Sequence, residues 1–154
     1  MRKRGAGLVL PVVAALVVTG CGGISNADFA KRADAVCAQS NRMAPEPLGP
    51  KASFAEAARY AEQETQLLSS LDAKLRSLTV PEDLKGDMVT FNAGTERLIA
   101  IVRRRRSAAA ARDVKRYQAL VQKFGSVALG RERYAIRLGF RVCGRRRAAA
   151  GKVR

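Results

Sequence analysis

The 154 residues carry 29 Lys and Arg against 13 Asp and Glu, with no His and no Trp, for a formal charge of +16. Without histidine the commonest general base and metal ligand are missing, and the usual nucleophile–His–acid triad goes with them. Length points to one domain, and a composition rich in Ala, Leu and Arg with scattered β-branched residues favours helix over sheet. Arg2, Lys3 and Arg4 open the chain, and no charge follows from Gly5 to Asn26. The apolar core, Leu8 to Val18, is about half of the roughly 20 residues a membrane span needs. A basic start, a short apolar core and small residues at its end predict a secretory signal over residues 1–20, outside the fold.

At the end of that core, Val18-Thr19-Gly20-Cys21 resembles the lipobox of bacterial lipoproteins: aliphatic at −3, small at −2 and −1, cysteine at +1. The resemblance implies cleavage before Cys21, a diacylglyceryl thioether on its sulfur, and lipid attachment to the extracytoplasmic face of the cell membrane. The alternative is an ordinary signal followed by an incidental cysteine. Residues 21–24 then form the lipidated N-terminus and its tether. Three cysteines leave an odd thiol in an exported protein. If lipid consumes Cys21, Cys37 and Cys143 are left as a disulfide pair, the alternative being two buried thiols.

Four helices are expected over residues 25–144. Ser25 with Asp28 marks the first start, and Phe29, Ala33, Val36, Cys37 and Met43 fall near one face. Pro45, Pro47 and Pro50 end it. Ser53-Phe54-Ala55-Glu56 is a capping box opening a helix with Ala57, Ala61, Leu68, Leu71, Leu75 and Leu78 in steps of four and three. Val80-Pro81-Glu82-Asp83 breaks that helix and starts the next. Leu84, Met88, Phe91, Thr95, Leu98 and Val102 form the third seam, expected to stop at Arg103 because four arginines in a row point all round the axis. A turn is expected between Arg106 and Asp113, with no Gly or Pro marking it. The fourth stripe runs through Tyr117, Val121, Phe124, Ala128, Ala135 and Leu138, with Gly139 as its stop. The expected fold is all-α: an up-down-up-down four-helix bundle, disulfide-stapled, followed by a basic disordered tail over residues 145–154.

Charge is uneven. Residues 21–102 hold nine bases against eleven acids, and residues 103–154 hold seventeen against two. That asymmetry implies a polyanionic partner, namely anionic lipid, an anionic wall polymer or an acidic protein. Alternating helices send Arg103, Arg104, Arg105 and Arg106 to the end far from the membrane, while Arg145, Arg146 and Arg147 reach the lipid surface. The competing account is a solvated cluster at a helix C-terminus, enlarged by a bias toward arginine. Nucleic acid is not expected, because the chain carries an export signal and no recognisable binding module. Two polar residues, Glu64 and Arg131, interrupt apolar stripes. Either they form a buried ion pair or line a polar cavity, or, as we expect, each lies at its stripe's edge and reaches solvent.

No glycine-rich phosphate loop, nucleophile elbow or paired CxxC is present. No catalytic residue, metal or cofactor is therefore expected. The chain is similar to the small helical lipoproteins of high-GC Gram-positive bacteria, on the lipobox, the early helix bearing Cys37, the Leu78-Thr79-Val80-Pro81 junction and the closing run from Leu138 to Gly144. That resemblance implies location rather than activity. The expected function is a membrane-anchored, non-enzymatic envelope lipoprotein that binds a protein or anionic polymer. The alternative is a small-ligand-binding or sensory bundle, with an unassigned hydrolase third.

Overall fold

The computed structural model describes residues 23–144. It contains α1 (Asn26–Arg42), α2 (Phe54–Arg76), a short 3-10 turn (Glu82–Leu84), α3 (Lys85–Ala110) and α4 (Val114–Arg137), with no strand among the described residues. The helices start where the sequence supplies caps. Ser25 Oγ accepts the Asp28 N–H at 3.1 Å. Ser53 and Glu56 close a full capping box, Glu56 N–H to Ser53 Oγ at 3.2 Å and Ser53 N–H to Glu56 Oε2 at 2.7 Å. Asp113 caps α4 by accepting the Arg116 N–H at 3.0 Å. These caps satisfy donors that the first helical turn leaves open.

Two helix ends use the same left-handed stop. After α4, Gly139 sits at φ 75°, with Phe140 N–H donating to Ala135 O and Gly139 N–H to Ile136 O. After α3, Arg112 takes that place at φ 55°, with Asp113 N–H donating to Ala108 O and Arg112 N–H to Ala109 O. The expected turn is therefore present, but it lacks the glycine that usually marks it. It falls within the expected interval from Arg106 to Asp113, after α3 has continued through Arg103–Arg106 to Ala110. The seam does not stop at Arg103, because Arg105, Ala108 and Ala109 extend the buried face below Ile101 and Val102 at helical spacing.

α3 is the central helix, packed along its length against α2 on one side and α4 on the other. The helices alternate in direction, since Asn26 at the start of α1 meets Asp83 just before α3 (2.7 Å), and Phe54 at the start of α2 meets Tyr117 at the start of α4. α1 is shorter than the rest: 17 residues, about 26 Å, against 26 residues and about 39 Å for α3. It covers one end of the bundle, where Phe29, Ala33 and Cys37 join Leu71, Leu75, Met88, Phe91, Ala135 and Leu138. A second, smaller cluster of Ile101, Ala108 and Leu120, backed by Tyr117, Phe124 and Val127, closes the other end.

The residues after α4 fold back as a strap over α1. Phe140 is buried between the rings of Phe29 (5.6 Å) and Phe91 (5.4 Å). Cys143 is disulfide-bonded to Cys37, as expected, with the two Cα atoms 5.2 Å apart across 106 residues. Two expected core residues lie outside it: Met43, the C-cap of α1, and Val121 on α4 are both exposed. Met43 falls where α1 ends and the proline loop begins, at the rim of an open groove beside Gln63, Gln66 and Leu67 of α2. No helix of the described residues is long and apolar enough to cross a membrane.

Candidate functional site

The strongest surface feature is basic and lies at the end away from Asn26. Arg103, Arg104 and Arg106, in the last turns of α3, are exposed, as are Arg112, Lys115 and Arg116 where α4 begins. Arg103 and Arg106 line an open groove of about 600 Å³ between α2 and α3, with Glu62, Thr65, Ser69 and Ser107. Arg106 Nε is held by Glu62 Oε2 at 2.8 Å. Of the four arginines expected to face outward, Arg105 does not. Its side chain turns into the bundle, because α3 is still helical there and residue 105 follows Leu98, Ile101 and Val102 on the buried face.

Arg105 meets Glu64, the first polar interruption, at 3.0 Å (Nη1 to Oε2). Its guanidinium also lies 5.6 Å from the Tyr117 ring centre and 5.7 Å from that of Phe124. Burial pushes the Glu64 carboxyl above its ordinary range, and the attraction of Arg105 only partly offsets this. Burial, then the neighbouring Glu64 charge, raises the Tyr60 hydroxyl as well. The expectation that Glu64 reaches solvent is thus corrected. It is largely buried and paired, with Arg105 rather than Arg131.

Arg131 is corrected in the same sense. It is 8% exposed, its Nε donates to Thr95 Oγ1 at 2.8 Å, and its guanidinium lies 3.9 Å from the centre of the Phe91 ring. Gly94 makes this possible: a Cβ there would stand 3.2 Å from Arg131 Cβ and 3.3 Å from its Cγ, so the absent side chain leaves a lane for the arginine stem. Burial lowers the Arg131 pKa to about 10 despite the opposing field of Asp72. Four buried side-chain atoms, Asp72 Oδ1, Asn92 Oδ1, Arg105 Nε and Arg131 Nη2, make no hydrogen bond among the described residues.

A third polar device ties the strap to α1. Asp34 accepts three backbone N–H groups, from Arg141 (2.8 Å), Val142 (2.8 Å) and Cys143 (3.0 Å), one turn from the disulfide. Sequence reasoning missed Asp34, although its spacing of three from Cys37 puts both on one helix face. On the surface, Glu96 pairs with Arg76 at 2.7 Å. Val18, Thr19, Gly20 and Cys21, and Arg145, Arg146 and Arg147, lie outside the described residues. Among the described residues no cluster of His, Cys, Asp or Glu is arranged to hold a metal ion. The chain matches no family model, no curated protein and no solved structure.

Proposed function

We propose that the chain is a non-enzymatic lipoprotein of the cell envelope, anchored by lipid on Cys21, that binds an anionic envelope polymer or an acidic protein through its basic end. The observation that carries this reading is a separation of ends. Asn26, five residues beyond the lipidation site, lies beside Asp83 at one end of α3. Arg103, Arg104, Arg106, Arg112, Lys115 and Arg116 cluster at the other. α3 spans about 39 Å, several Debye lengths at physiological salt, so this cluster acts beyond the electrostatic reach of an anionic leaflet when the bundle stands upright. Its cations are then open to a polyanion of the envelope.

Two measurements test this. The intact mass of the protein from its host should equal residues 21–154 plus acyl groups, and should rise by two hydrogens on reduction. A cleaved but unlipidated mass refutes the anchor. The lipidated protein in detergent should co-sediment with isolated cell walls in a salt-sensitive manner, and changing Arg103, Arg104 and Arg106 to Glu should abolish this. Retention that ignores both salt and the triple change refutes the basic end as the binding surface.

A second reading, a small-ligand or sensory bundle, draws on the buried, unsatisfied Asp72, Asn92 and Arg131 atoms. It requires thermal stabilisation by a small polar compound, lost in an Asn92→Leu variant.

A further inference from the structure

The basic end leaves one surface unexplained. Seven large apolar residues among those described are exposed, and four lie on a single helix, α4: Val114 (48%), Val121 (44%), Leu129 (52%) and Ile136 (64%). At about 100° per residue their spacings of seven, eight and seven keep them within about 80° of the helix circumference, so they form a stripe about 33 Å long. Scattered exposed aliphatics need no explanation, but a line of them along one helix marks a contact surface. Lys115 and Arg133 flank the ridge on one side, and Gln118 and Glu132 fall within it.

We infer that this outer face of α4 is the docking seam for an amphipathic helix of a partner protein, one that carries aliphatic residues along its seam and acids beside them. Charge selects this occupant. A second copy of the chain would set the flanking Lys115 and Arg133 of one α4 against the same residues of the other, relieved only by Glu132. The chain's own residues 145–154 carry five bases and no acid, so they bear the same sign. A lipid surface would accept the ridge and the cations, but it would press Glu132 and Gln118 into hydrocarbon with nothing to bond them. A helix offers side chains that can meet both, and acids at its flanking positions answer Lys115 and Arg133. A partner of about 20 residues covers the ridge end to end. This seam lies apart from Arg103, Arg104 and Arg106, and it stands whether or not Cys21 is lipidated.

The test is a photoreactive amino acid placed singly at Val121, Leu129 and Val89 of the full chain in its host, with adducts mapped by mass spectrometry. Val89, on α3 and 69% exposed, controls for exposure alone. Adducts at positions 121 and 129, but not 89, should map to an acidic amphipathic helix of another protein. A Lys115→Glu/Arg133→Glu change should cut their yield about tenfold with helical circular dichroism unchanged. Adducts to lipid or to a second copy overturn the inference, as do equal yields at position 89, indifference to the charge reversal, or no adduct at all. The Arg103, Arg104 and Arg106 variant should keep these adducts, so failure of the basic end and failure of this seam are separately visible.

Discussion

Replacing Arg131 by methionine should leave the stability of the bundle within about 1 kcal/mol of the original, although the arginine is a buried charge with five donors. Holding its pKa near 10, well below the ordinary arginine range, reflects a cost of roughly 3 kcal/mol to the charged form at 1.36 kcal/mol per decade. Methionine removes that cost. It also removes a desolvated cation–π contact with Phe91, worth about 2 kcal/mol, and a hydrogen bond to Thr95, worth about 1 kcal/mol. The two sides nearly cancel, and the thioether can pack on the ring the guanidinium leaves. Arg131→Ala should behave differently, because it opens a cavity beside Phe91 and Gly94 and should cost about 2–4 kcal/mol. Urea unfolding followed by helical circular dichroism at pH 7, with the disulfide intact, measures both. The pH dependence adds a sign. Between about pH 10 and the ordinary arginine range the folded state has released this proton while the unfolded chain keeps it, so the original protein should gain stability relative to the methionine variant as pH rises through about 10. A loss above about 3 kcal/mol in Arg131→Met would refute this balance and mean that the guanidinium is held by a true buried ion pair.

Arg105 should give the opposite result. Arg105→Met strands Glu64 and should cost about 2–3 kcal/mol, less than a fully buried pair because Glu64 keeps some solvent contact, and adding Glu64→Gln should recover most of the loss in the same unfolding assay. Burial raises the Glu64 carboxyl, so its contribution is complete below its ordinary range and is lost as pH rises through the folded value; the Gln variant should flatten that dependence. Arg112→Gly should stabilise the protein by about 0.5–1 kcal/mol by relieving a left-handed residue, and a destabilised variant would count against that account of the turn. Asp34→Ala should cost about 2 kcal/mol and speed hydrogen exchange at Val142 and Cys143 in particular, as well as reduction of the disulfide; exchange that rises evenly along the chain would refute the clasp.

Much of the architecture is legible in the sequence because it follows from short-range rules. Ser53 with Glu56, Pro81 before its acids, and Gly139 each act within one helical turn, and the four-and-three spacing of apolar residues identifies the buried faces of α2 and α3. The Cys37–Cys143 pair followed from counting thiols. What the chain could not announce by itself was where a long polar side chain ends up. Arg131 and Arg105 sit at positions that a periodicity assigns to a stripe, but whether an arginine at such a position bends out to water depends on what stands opposite it. Gly94 leaves room for one, and Glu64 neutralises the other. Both partners lie more than thirty residues away in sequence.

The same limit hid how the α3–α4 turn is made, since Arg112 adopts a backbone conformation that sequence rules reserve for glycine, and it hid Asp34, whose three donors belong to the opposite end of the chain. Sequence alone thus determined that helices form, roughly where they begin and end, and that residues 21–154 split into a nearly neutral part and a strongly basic one. Tertiary structure decided which arginines are exposed, that α1 covers only one end of the bundle, and that α4 presents an apolar ridge on its outer face. Local capping and periodicity act through neighbours along the backbone, whereas burial, pairing and exposure are properties of residues brought together from distant helices.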